Sequence, residues 1–166
     1  FTIQLLEELS AFNSSNELYY SVFSIEQLLK NVAISFAISL DTNEADIEFS
    51  SSISDSLGEF TGDKIKLQEL VLNLLKNAEE AITEQGSIHL AASRSGDIIT
   101  ITCTDTGCGI TPEQMECIFQ PFVTYKQGGT GLGLAFSRKI AEAHEGTLTA
   151  VSTPQESTTF TVTLPV

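Results

Sequence analysis

Basic residues are scarce in this 166-residue chain: eight Lys and Arg against 22 Asp and Glu leave a formal net charge of −14. Nucleic-acid backbones are held by clustered Lys and Arg. Here the few are scattered, which excludes nucleic acid as a partner and leaves a solvated acidic surface as the plain reading. Cysteine is sparse too. Cys103, Cys108 and Cys117 are odd in number, form no Cys-x-x-Cys pair and have no histidine close in sequence. That argues against zinc ligation and for a reduced, intracellular setting. No apolar run reaches the length of a membrane-spanning helix. The N-terminus lacks the basic region and cleavage pattern of a secretory leader. Opening on Phe1 rather than Met, the chain is expected to be a fragment of a longer protein.

What is present is globular. Hydrophobic residues make up 42% and charged residues 18%, enough for one domain with a real core. Residues 1–12 read as the end of a helix, with Ile3, Leu5, Leu6, Leu9 and Phe12 roughly on one side. Asn13–Asn16 form a polar break. Ser24 with Gln27 forms a candidate capping box opening a helix whose Ile25, Leu28, Leu29, Val32 and Phe36 face inward. A turn at 41–44 and a short strand at 46–50 follow. The best helix spans about 64–83, where Leu67, Leu70, Val71, Leu74, Leu75, Ala78, Ala81 and Ile82 keep helical spacing. Segments 87–94 and 97–104 read as a hairpin across Ser95-Gly96. A long stretch, 105–130, carries a short helix near 112–119. A helix from Gly131 is expected to stop at Gly146 as its C′ residue, and strands at 147–152 and 158–164 close the chain. The order predicts an α/β sandwich with helices on one sheet face.

Three segments carry chemistry. On the 64–83 helix, Glu69, Asn73, Asn77 and Glu80 share a polar edge. A half-buried amide needs a partner: Asn77 either offers its carbonyl oxygen to Mg²⁺, which favours oxygen ligands and substrate phosphates, or bonds a neighbouring loop. Asp105, followed by Gly107 and Gly109, places a carboxylate beside a turn that a flat ligand can approach, suited to an adenine amino group. It is equally the composition of an ordinary Asp-Gly turn. Gly128–Leu134 (GGTGLGL) lacks the Lys-Ser/Thr ending of a P-loop and follows polar loop residues rather than a strand, which excludes Walker binding and disfavours a dinucleotide fingerprint. What remains is a hinge delivering a helix N-terminus, suited to phosphate, with Lys126 just before it. The stretch 105–131 is long for a connector and reads as a movable lid.

In this order the segments resemble the N, G1, F and G2 boxes of the sensor histidine kinase ATP-binding domain, a member of the Bergerat (GHKL) ATPase fold. Leu67–Ile82 is similar to the N box, Asp105–Ile110 to G1, Ile118–Lys126 (IFQPFVTYK) to the F box and lid, and Gly128–Leu134 to G2. Thr158–Pro165 resembles the last strand of the family. The lid and the Asn-Ala-x-x-Ala ending most resemble the nitrogen-regulation type. The resemblance covers roughly residues 24–166. It implies a mixed, mostly antiparallel sheet with helices packed on one face, and a mobile ATP lid. Residues 1–20 would be the tail of a preceding helical dimerisation and phosphoacceptor domain with its linker, and 21–166 the catalytic domain.

By the same resemblance the cofactors are ATP and Mg²⁺. Asn77 would bind the metal, Asn73 would help order metal and phosphates, and Asp105 would contact adenine. Gly107, Gly109 and Ile110 would shape the adenine pocket. Phe119 and Phe122 would anchor the lid, Gly129, Thr130, Gly131, Leu132, Gly133 and Leu134 would let it close over the phosphates, and Lys126 would meet the γ-phosphate. Two departures stand out. Many members carry a basic residue where this chain has Glu80. The hydrolysing relatives carry a Glu one turn before the metal Asn, where this chain has Asn73, so a general base is missing and phosphoryl transfer is favoured over hydrolysis. His89 falls in a strand and His144 near a helix end as a partner of the helix dipole, so neither is the phosphoacceptor. The expected partners are the helical domain of a dimeric, cytoplasmic or membrane-anchored parent and a response regulator, without direct membrane contact. The alternatives are a degenerate nucleotide-sensing module and a serine/threonine kinase of the same fold.

Overall fold

The computed structural model describes residues 2–14, 17–125 and 129–166. In chain order its elements are α1 (Thr2–Ser14), β1 (Ser21–Ser24), α2 (Ile25–Leu40), β2 (Asp46–Ile53), β3 (Glu59–Gly62) and α3 (Lys64–Glu80). Then come β4 (Gln85–Ser95), β5 (Ile98–Asp105), α4 (Pro112–Met115), α5 (Gly133–Ala143), β6 (Thr147–Thr153) and β7 (Ser157–Pro165).

The five-stranded sheet has the order β2-β4-β5-β7-β6, with β2 parallel to β4 and the other neighbours antiparallel. Its two faces differ because side chains alternate along a strand. On β5, Ile99, Ile101, Cys103 and Asp105 are buried, while Thr100, Thr102 and Thr104 lie on the opposite, half-exposed face. There they pair across the ladder with Thr163, Thr161 and Thr159 of β7. The buried face meets the apolar stripes of α2, α3 and α5 in one continuous core. On α3 that stripe is Leu67, Leu70, Val71, Leu74, Leu75 and Ala78. Each buried leucine there stabilises by about 1.5–3 kcal/mol, so packing rather than local propensity holds this helix. The sandwich, the mixed and mostly antiparallel sheet, and the helices on one face agree with the sequence reading.

Several details differ from it. Strands β1 and β3 fall outside the sequence expectation; four residues each are too few for periodicity, and they exist because they pair with one another antiparallel, Phe23 opposite Phe60. The Ser24 cap of α2 forms, accepting from the Gln27 N–H at 3.1 Å, but the Gln27 side chain bonds Asn31 instead of completing a box. Helix α3 stops at Glu80, and the Ala81 N–H bonds back to Asn77 O. At the end of α5, Glu145 rather than Gly146 takes the left-handed backbone, with φ +61°. Gly146 is required for another reason: a Cβ there would sit 2.1 Å from the carbonyl oxygen of Thr163 on β7.

His144 is also not a charged partner of the helix dipole. Its Nε2 accepts the Asp63 backbone N–H at 2.9 Å, so that nitrogen carries no proton, and Nδ1–H donates to Ile140 O at 2.8 Å. The ring is a neutral bridge from the end of α5 to the start of α3. No helix among the described residues is long and apolar enough to cross a membrane.

Candidate functional site

Helix α3 opens on Asp63, whose Oδ1 accepts the Lys66 N–H at 3.1 Å. This capped start leaves Asn73 and Asn77 half-buried one turn apart, while Glu69 and Glu80 at the margins of the same edge are exposed. The Asn73 side-chain amide donates to Ser137 Oγ of α5 at 3.4 Å, and Ser137 is fully buried. That contact ties the polar edge of α3 to α5. Sequence reasoning missed Ser137, although a serine among Ala135, Phe136, Ile140 and Ala141 on a buried stripe is a signal that could have found it.

Asp105 ends β5 and is buried, with Oδ1 accepting the Gly107 N–H at 2.8 Å. This side-chain bond to the backbone two residues on turns the chain out of the sheet. Opposite Asp105 in the ladder stands Thr158, also buried. The Ser152 hydroxyl donates to Ser157 O, so the Thr158 hydroxyl is the donor in its 2.8 Å bond to Ser152 Oγ. Thr158 is a second residue that sequence reasoning missed; its signal is a polar side chain at an inward position of an alternating strand, beside Phe160, Val162 and Leu164. Beneath the turn, burial and then the nearby Asp105 charge push the Cys103 thiol up to about 12. Cys103 is therefore a buried core residue of low reactivity.

The glycines of this turn are consumed by packing against the protein itself. A Cβ on Gly107 would lie 2.5 Å from Ala81 O, and one on Gly109 (φ +71°) 2.4 Å from Thr153 O. Hydrogen bonds follow the same contacts: Cys108 N–H donates to Ala81 O at 3.0 Å and Gln155 N–H to Cys108 O at 2.7 Å. Ile110 packs against the core, and its N–H donates to Ser152 Oγ at 2.8 Å. The turn is thus clamped between the end of α3 and the β6–β7 hairpin.

The lid is built differently. The ring of Phe119 is packed edge-on against Phe160 at 6.4 Å and lies under the Arg138 guanidinium at 5.2 Å. Phe122 is 58% exposed and left-handed, with φ +68°. It holds the lid by its backbone, since its N–H donates to Gly131 O at 2.9 Å. Gly131 (φ +75°) meets that same backbone, a Cβ there being 2.5 Å from the Phe122 carbonyl carbon. Residues 122 and 131 form the neck of the lid. Gly129 and Thr130 are half-buried within it, Leu132 is buried, and Leu134 packs against the core. Lys126 and Gly128 lie outside the described residues.

Helix α5 starts without a side-chain cap at Leu132, and a Cβ added to Gly133, its first residue, would meet nothing within 4 Å. The first backbone N–H groups of a helix have no intrahelical partner, and among the described residues no side chain caps those of α5; such a start is suited to an anion. Five of the eight basic residues, Lys64, Lys66, Lys76, Arg138 and Lys139, lie on α3 and α5. Among the described residues no group of three or more His, Cys, Asp or Glu could hold a metal ion. A cation here would depend on neutral amide oxygens and on charge brought by its ligand.

Residues 62–166 match the sequence profile of a family described as histidine kinase-, DNA gyrase B-, and HSP90-like ATPase. The chain is 41% identical over 129 residues to the sensor histidine kinase ZraS of Escherichia coli K12, a match covering 78% of this chain and 28% of ZraS. The fold is similar to that of full-length ShkA in complex with AMPPNP, with a TM-score of 0.86 and 28% identity over 99% of this chain and 35% of ShkA. It is also similar to the nucleotide-free catalytic domain of the histidine kinase ThkA, at a TM-score of 0.78 and 26% identity over 89% of this chain and 95% of that domain.

Proposed function

The chain belongs to the histidine kinase-, DNA gyrase B-, and HSP90-like ATPase family, and on that premise we propose that it is the ATP-binding catalytic domain of a sensor histidine kinase. The chain spans 28% of the length of ZraS; in this reading the phosphoacceptor histidine lies on a helical domain of a longer, dimeric parent, cytoplasmic or membrane-anchored, whose partner is a response regulator. In this reading residues 1–20 are the tail of the acceptor domain and its linker, and 21–166 are the catalytic unit.

The observation that carries the reading is the juxtaposition of the half-buried Asn73–Asn77 edge with α5, whose uncapped start faces open space. Asp105, whose Oδ1 is committed to Gly107, accepts from the adenine amino group through its other oxygen, with Thr158 beside it. The first turn of α5 takes phosphate oxygens, and Lys126 approaches the terminal one. The donor set fits Mg²⁺ held jointly by the Asn77 carbonyl oxygen and the nucleotide, the usual manner for this ion. When bound, the ion neutralises phosphate charge; the chain's own residues orient the chain of phosphates and exclude water. Position 73 is an amide, which cannot take a proton from water, so the γ-phosphoryl is kept for a histidine acceptor and transferred by positioning and charge neutralisation. A second reading, nucleotide sensing without transfer, draws on Glu80, an exposed acid near this edge.

Calorimetric titration with a non-hydrolysable ATP analogue, with and without Mg²⁺, tests the proposal. Asp105→Asn should weaken binding roughly 10- to 100-fold by replacing a charged acceptor with an amide. Asn77→Ala should abolish the Mg²⁺ dependence with the fold intact. Failure of the intact chain to bind would sink the reading. Binding without transfer to a supplied acceptor domain would favour the sensor.

A further inference from the structure

Asp63 does more than cap α3. Its Oδ1 takes the Lys66 N–H, and its Oδ2 accepts the backbone N–H of Tyr19 at 2.9 Å, across 44 residues of sequence. Its own backbone N–H is fixed by His144 Nε2, and the His144 ring is fixed in turn by Ile140 O and by the ring of Tyr20, edge-on at 6.0 Å. Both Asp63 and His144 are buried. Gly62 is part of the arrangement, because a Cβ there would lie 2.8 Å from His144 Cδ2. One connected set of bonds therefore joins the segment 17–20, the start of α3 and the end of α5. The two helices are the ones that present Asn73, Asn77 and the open helix start.

Among the described residues, the segment 17–20 is held besides this bond by the half-buried Leu18 and the Tyr20 ring contact. The side chains of Tyr19 and Tyr20 are 78% and 58% exposed, and Glu17 is exposed. A stretch with few buried apolar contacts is secured by its hydrogen bonds, and a charged acceptor makes the stronger kind. We infer that Asp63, held in place by His144, is a latch that fastens the connecting segment 17–20 to the catalytic domain and so acts as a positioning residue for phosphotransfer. This rests on the kinase reading above: the helix that leads into the segment would present the acceptor, and the latch would set its distance and angle from the γ-phosphate. Release of the Tyr19 N–H would uncouple the acceptor from the domain while leaving the nucleotide site assembled.

The bond involves the Tyr19 backbone, which allows a clean test. Tyr19→Ala keeps the N–H and removes an exposed ring; Tyr19→Pro removes the N–H. Amide hydrogen exchange on the 166-residue chain should rise about 10- to 100-fold at residues 17–22 in Tyr19→Pro, the range expected for losing a bond to a charged group. It should stay within about 2-fold of the parent chain in Tyr19→Ala. Asp63→Asn, which keeps one acceptor where two are needed, should raise exchange at the same residues. In the parent kinase, Tyr19→Pro should lower kcat for transfer to the acceptor on the same chain about 10-fold or more. KM for ATP and the analogue affinity should not move, and transfer to a separately supplied acceptor should be unaffected. Unchanged exchange at 17–22 would overturn the latch. So would a rise spread through α3 and α5, which would make the bond ordinary core structure. Raised exchange with unchanged kcat would overturn the positioning role. A failure of ATP binding in the unaltered chain would strike the kinase reading and with it the positioning role, but not the latch, since the exchange result does not depend on nucleotide.

Discussion

Two glycine-bearing turns flank the candidate site, and they use glycine for opposite purposes. In the turn after Asp105, the space left by the absent Cβ atoms of Gly107 and Gly109 is filled by Ala81 on one side and Thr153 with Pro154 on the other. In the lid, Gly131 gives its space to the Phe122 backbone, while Gly133 opens onto nothing. The first turn is a wall locked to α3 and to the β6–β7 hairpin. The second is a door with a defined neck and a vacant threshold. The same residue type is packed against backbone in one place and left open in the other, and only its neighbours tell which.

The sharpest way to break this comparison is Gly107→Ala. With backbone only 2.5 Å away, the wall must shift, at a cost of about 3 kcal/mol of overpacking. Denaturant unfolding should register that loss together with weakened analogue binding. A variant as stable as the parent chain would mean that the turn is not clamped. Gly131→Ala meets backbone just as closely and adds about 1–2 kcal/mol for a left-handed non-glycine residue. That cost should appear as loss of nucleotide affinity more than of global stability, because the lid is joined to the core through its neck; equal losses in both would merge the two turns into one class.

A pH titration sharpens the picture of what lies beneath the wall. Cys103 ionises in the unfolded chain near its ordinary 9.0 but only at about 12 when folded. The folded state therefore holds the proton that the unfolded state releases between those values. Stability should be complete below about pH 9 and fall above it, by about 1 kcal/mol per pH unit from this group, and Cys103→Ala should flatten that fall in unfolding midpoints. The smallest effect belongs to Gly133→Ala. With no atom in its way, an added methyl should stabilise α5 by about 0.5–1 kcal/mol through helix propensity. Thermal melts would contradict the vacant threshold if stability dropped.

Much of this was legible beforehand because the responsible forces act between near neighbours in sequence. The apolar spacing from Leu67 to Ala78 specifies α3 whatever surrounds it, and the alternation in β5 and β7 specifies which face is buried. Asp105 with its glycines could be located as a turn. Its clamping could not, since Ala81 and Thr153 are brought there by the fold. Likewise Phe119 and Phe122 look equivalent in IFQPFVTYK, yet one packs on Phe160 and the other is exposed with its backbone at the neck. Ser137 and Thr158 carried weak signals, single polar residues on inward positions, that acquire meaning only beside Asn73 and Asp105.

The sequence by itself determined the order of motifs, the long helix with its amide edge, the hairpin, and an amide rather than a carboxylate at position 73. These follow from local periodicity, capping chemistry and side-chain identity. Tertiary structure alone decided that β2 runs parallel to β4, that β1 and β3 find one another, and that the Tyr19 N–H meets a carboxylate at position 63. It also decided that His144 is a neutral bridge rather than a cation. Each of these depends on a partner tens of residues away, because a hydrogen bond or a ladder pairing specifies geometry and not separation along the chain.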